Sequence, residues 1–60
     1  MLEEIKRSYV SCASRIRGWQ NMSVNELCNR YIDNENDEGL KSAYFSAILL
    51  KKWPYIGKHY

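Results

Sequence analysis

Sixty residues make one domain at most, and a chain this short buries only about 60% of the surface its unfolded form exposes, so its core is thin. Two cysteines, Cys12 and Cys28, without CxxC spacing, exclude a disulfide framework, and acids followed by Lys6 and Arg7 after Met1 do not read as a secretory signal. The longest apolar run, Ala47 to Leu50, is far short of the roughly 18 residues of a membrane span, so the expectation is a reduced, cytoplasmic protein whose thiols serve as small apolar side chains. The net charge of +2 hides an uneven distribution: residues 1 to 32 sum to +2, residues 33 to 38 to −4 and residues 39 to 60 to +4. An acidic hinge thus lies between two basic arms, and its simplest reading is a solvated loop at a helix N-terminus, where the macrodipole favours negative charge.

The first predicted helix runs from about residue 2 to residue 17. Leu2, Ile5, Tyr9, Cys12, Ile16 and Trp19 step by three and four residues and form one stripe, widened by Val10 and Ala13. Glu3 and Glu4 in the first turn, with Arg15 and Arg17 near the last, complement the dipole, and Glu3 with Arg7 is a favourable (i, i+4) pair. Gly18 is the natural stop. Ser8, Ser11 and Ser14 lower intrinsic helicity, so this helix depends on packing.

A second helix is expected over about 24–32. Ser23 and Glu26 form a capping box, with Met22 and Leu27 placed as a hydrophobic staple. The apolar face is Val24, Leu27, Cys28 and one of Tyr31 or Ile32. The run DNENDEG then competes with helix for the backbone. It is not a calcium loop: counted from Asn34, position twelve is Phe45, and counted from Asp33 it is Tyr44, with Glu38 where glycine belongs. Asn36 or Asp37 is the N-cap of the next helix.

The third helix, about 37–53, is apolar on more than one side. Leu40, Tyr44, Ala47, Ile48 and Lys51 make one row, and Phe45, Leu49, Leu50 and Trp53 another. Such a helix is central, with neighbours on two faces, and small Ala43, Ser46 and Ala47 admit a close approach. Pro54 halts or kinks it near Trp53. The expected fold is all-α, a small three-helix bundle with a short aromatic C-terminal tail, residues 1–60 forming a single helical domain or the N-terminal part of a longer protein.

Chemistry has little to work with. The only histidine, His59, stands beside lysines with nothing to fix its tautomer, Cys12 and Cys28 lie on core stripes, and the three glycines are scattered singly. That is neither a nucleophile with its base, nor a zinc set, nor a phosphate loop. The expectation is no enzyme, no cofactor, no metal and no small-molecule substrate.

Surface recognition remains. The tail KKWPYIGKHY interleaves Lys51, Lys52 and Lys58 with Trp53, Tyr55 and Tyr60, and Arg15, Arg17 and Trp19 repeat the theme. Cations neutralise phosphates and rings stack on unpaired bases. The competing reading has lysines complementing the helix C-terminus and Trp53 plugging the end of the core. Arg15, Arg17, Lys51, Lys52, Trp53, Tyr55, Lys58 and Tyr60 are therefore the candidate nucleic-acid- or partner-binding residues.

The stretch from Asn36 to Tyr60 resembles the opening of the helical region in phage-encoded sigma-factor-like proteins, where an acidic turn leads into a helix of the form L-K-x-x-Y-F-x-A-hydrophobic. The matching positions are Leu40, Lys41, Tyr44, Phe45, Ala47, Leu49, Lys52 and Trp53, preceded by Asn25, Glu26, Leu27 and Tyr31. The resemblance implies a helical module that engages RNA polymerase and, further along, promoter DNA. In sigma factors the strand-capturing aromatics and the helix-turn-helix reader come after this opening helix, so the likeness here covers a part suited to scaffolding or to binding protein. The two functional expectations are a sigma-like, transcription-associated module in the host cytoplasm and a small structural or adaptor protein, such as a virion or assembly component, docking through apolar surface to another protein or to itself.

Overall fold

Helices fill the computed structural model, which describes residues 2–53, with side chains from Glu3 to Trp53. In chain order they are α1 (Leu2–Ala13), a 3-10 turn (Trp19–Asn21), α2 (Val24–Asp33) and α3 (Glu38–Lys51). This is the expected small all-α three-helix bundle. Helix α3 packs against both α1 and α2, while those two scarcely meet each other, so the most apolar helix is the central one.

The start of each later helix is set by one side chain. The Ser23 hydroxyl accepts the Glu26 N–H at 3.1 Å, and the Asp37 carboxylate accepts the Leu40 N–H at 3.1 Å, each satisfying a donor that lacks an intrahelical partner. Asp37, not Asn36, is thus the cap of α3. Only half of the expected capping box forms, because the Glu26 carboxylate pairs with Arg30 at 3.4 Å instead of reaching back to Ser23. At the other end of α2 the Asn34 side-chain amide donates to the Arg30 carbonyl at 2.8 Å.

Helix α1 stops at Ala13 rather than near residue 17. The Ser14 N–H still reaches Val10 O at 2.9 Å, but Arg15 and Ile16 bond three residues back, to Cys12 and Ala13, at 3.3 and 2.9 Å. The Ser14 hydroxyl also donates to Val10 O at 2.7 Å, the local competition that makes serine a poor helix continuer. Ending here lets Ile16 bury itself, 6% exposed, from a bend. Gly18 then takes φ +77°, the left-handed conformation that glycine adopts without strain. Helix α3 ends at Lys51 rather than at 53, its last carbonyls gathered on the Lys52 N–H, close to where Pro54 restricts the residue before it.

The core is Ala13, Ile16, Leu27, Ala43, Tyr44, Ala47 and Leu50, with Tyr9, Cys12, Trp19, Met22, Tyr31 and Ile48 packed around it. Three of its seven members are alanines, so the helices gain contact by approaching closely rather than by interleaving large side chains. Leu27 is the one large side chain fully enclosed among the described residues. Four expected core positions are corrected: Ile5 and Val10 of the α1 stripe face solvent, and on α3 Leu40 and Phe45 are exposed. Of the two alternatives on α2, Tyr31 rather than Ile32 turns inward. Helix α3 buries one broad stripe, Ala43, Tyr44, Ser46, Ala47 and Leu50, and its outer flank stays open.

Candidate interaction groove

The predicted binding residues do not converge. Arg15 is exposed, and its Nη1 lies 3.5 Å from where a Cβ on Gly39 would stand, over the first turn of α3. Lys51 comes twelve residues later, about 18 Å along the helix axis, and its Nζ donates to the Gln20 carbonyl at 2.8 Å. That bond ties the end of α3 to the 3-10 turn, satisfying a backbone acceptor with a cation near a helix C-terminus, where the dipole favours it. Lys52 caps α3 and is exposed, as is Arg17 in the turn before Gly18. Trp53 is half buried, its ring 6.3 Å from that of Tyr9 and inclined at 54°, an inclined aromatic contact between α1 and the end of α3. Tyr55, Lys58 and Tyr60 lie outside the described residues. Of the basic-aromatic set, then, Lys51 and Trp53 have intramolecular partners, and Arg15, Arg17 and Lys52 are the described cations left facing solvent.

A different constellation does converge. Because α1 and α2 sit on α3 without closing on each other, a groove of about 390 Å³ opens between them, lined by Tyr9, Tyr31, Glu38, Lys41, Ser42, Phe45 and Ser46. Helix α1 contributes Tyr9, α2 contributes Tyr31, and α3 contributes the rest. Tyr31 and Phe45 face each other with ring centroids 6.5 Å apart and planes at 46°. Ser46 is 4% exposed and donates its hydroxyl to the Ser42 carbonyl at 2.8 Å, so this buried hydroxyl is already satisfied. Glu38 and Lys41, one helical turn apart, add one charge of each sign.

The electrostatics nearby are mild. Arg30, exposed on α2, is held above its ordinary basicity first by the Tyr44 hydroxyl and then by the Glu26 carboxylate. Neither cysteine lines the groove; both are half-buried free thiols. Among the described residues no cluster of histidine, cysteine and carboxylate side chains could hold a metal ion, and no helix is long and apolar enough to cross a membrane.

Part of this surface was signalled in the sequence. Ala43, Ser46 and Ala47 mark a helix face meant for close approach, and they are buried as expected. Tyr9 and Tyr31 are spaced as ordinary core-stripe residues, and nothing in that spacing says that α1 and α2 stand apart. Comparison of the chain with family models, curated protein sequences and solved structures finds no match to any of them.

Proposed function

We propose that this chain is a non-enzymatic helical interaction module, a small structural or adaptor protein that docks a protein partner through the groove between α1 and α2. The observation that supports this reading most directly is the set of three aromatic side chains, one from each helix, standing partly exposed around it: Tyr9, Tyr31 and Phe45. Phe45 is 50% exposed, and aromatic side chains are enriched at the centres of protein interfaces. A reduced compartment such as the cytoplasm suits the free thiols of Cys12 and Cys28.

The test is a photo-reactive phenylalanine analogue placed at Phe45 of the full chain and, as a control, at exposed Glu4. Irradiation in the source cells should give discrete protein adducts from position 45 and none from position 4. Equal adduct yields from the two positions would remove the groove from consideration.

The likeness to sigma-factor-like proteins makes RNA polymerase the first partner to try. Its nucleic-acid version draws on exposed Arg15, Arg17 and Lys52. Single-stranded and duplex DNA titrated at two salt concentrations test that version, which requires affinity to fall steeply with salt.

A further inference from the structure

We infer that the occupant of the groove is an amphipathic α-helix of a partner protein. Its apolar side chains at i, i+3 or i+4, and i+7 would enter between Tyr9, Tyr31 and Phe45, and a lysine or arginine at one end would lie over Glu38. This rests on the reading of the groove as the docking site and adds the chemistry of what docks there.

Length favours a helix. The lining residues on α3 run from Glu38 to Ser46, about 12 Å of axis, and an i to i+7 stripe on an incoming helix covers about 10 Å. The architecture agrees, since two helices flanking a third without closing on each other leave the place of a fourth. The floor there is serine, and Ser42 and Ser46 are small enough for a rod to come down close to α3. Backbone chemistry argues against an extended peptide. A strand docks by pairing with a sheet edge, and the described residues contain no strand, whereas a helix brings its backbone already satisfied. Small-ligand recognition needs a few convergent polar groups inside an apolar pocket. Here Glu38 and Ser42 are exposed and Lys41 is half-buried rather than enclosed, and the one buried polar side chain, Ser46, has already spent its hydroxyl on the Ser42 carbonyl.

Charge then distinguishes one end of the site from the other. Asp33 at the end of α2, Glu35 and Asp37 in the turn, and Glu38 at the start of α3 make an acidic run with no base among residues 33 to 38; Arg15 approaches it at Gly39, outside the groove lining. The one ion pair among the described residues, Arg30 with Glu26, involves none of these four. Glu38 belongs to the groove lining, so the acidic run marks one end of the site, against a single lining cation, Lys41. A partner helix carrying a base at that end and apolar residues beyond it complements both features.

The probe is a displayed library of 14-residue peptides on a helix-favouring alanine framework, with seven positions randomised, selected against the full chain. Individual winners are then titrated by fluorescence anisotropy. The expected winners share three apolar residues at i, i+3 or i+4, and i+7 and a basic residue at one end, and they become helical on binding. Phe45→Glu should weaken them at least tenfold, while Ile32→Glu, at a position 61% exposed and outside the lining, should leave affinity unchanged. Glu38→Lys should weaken them several-fold and be rescued when the terminal base of the peptide is exchanged for glutamate. That charge swap decides the matter even if Phe45→Glu perturbs the fold.

Peptides that bind in extended form, that ignore Phe45→Glu, or that show no rescue by the charge swap would overturn the proposal. So would self-association of the chain abolished by Phe45→Glu, since the occupant would then be a second copy. These outcomes leave the groove itself standing as a docking site, which the absence of crosslinks from position 45 would not.

Discussion

A methyl group added at Gly18 would meet no atom within 4 Å, yet φ there is +77°, a conformation that disfavours any side chain by about 1 kcal/mol or more. At Gly39, inside the first turn of α3, the same methyl would sit 3.5 Å from Arg15 Nη1 and from Asp37 Oδ1. Those are ordinary contacts, and the backbone there is already helical. Gly18→Ala should therefore lower the melting temperature by roughly 4–8 °C, while Gly39→Ala should raise it slightly, by about 0.5 kcal/mol in stability. Two thermal melts read the opposite signs. The caps offer a second comparison: Ser23→Ala and Asp37→Ala should each remove about 1 kcal/mol. Urea midpoints should then drop for both with little change in the slope of the transition.

Helix α1 shows how an amphipathic stripe can mislead about its own members. Ile5 and Ile16 are equivalent by spacing, yet Ile5 is 48% exposed on the helix and Ile16 is 6% exposed beyond its end. Ile16→Ala should cost about 2–4 kcal/mol by leaving a cavity against the core, and Ile5→Ala should cost no more than about 1 kcal/mol. Denaturant unfolding of the two variants measures the gap, and equal losses would mean that α1 continues through residue 16 as a helix. Conversely, the Arg30–Glu26 pair on α2 has side chains 47% and 49% exposed, so its removal should matter little.

The molecule as a whole depends on α3 having two partners. Each of α1 and α2 packs on α3 and scarcely on the other, so neither can compensate for the loss of its counterpart. A peptide spanning residues 22–53 keeps the α2–α3 hairpin and both caps but loses Ala13 and Ile16 from the core. Helices of 10 and 14 residues are marginal in water without tertiary packing. Far-UV circular dichroism of that peptide should show it largely unfolded at 25 °C, with helicity restored when a peptide of residues 1–21 is supplied at high concentration. A fragment that is folded by itself would mean that α1 is dispensable.

Signals that act over three or four residues are legible in the chain itself. Ser23 and Asp37 each bond an amide three residues on, and the apolar breadth of Leu40 to Leu50 makes α3 the central helix wherever its neighbours lie; Gly18 takes its left-handed turn by its own backbone freedom, although α1 has already ended at Ala13. These are local energies, complete within a turn or two of chain. Residues 5 and 16 share a stripe but not a fate, Lys51 answers Gln20, Arg15 lies over Gly39, and Tyr9 and Tyr31 flank a groove that no spacing announces. Each of those depends on surfaces from distant parts of the chain meeting at a particular angle, and a one-dimensional pattern carries the apolar faces but not the gap left between them.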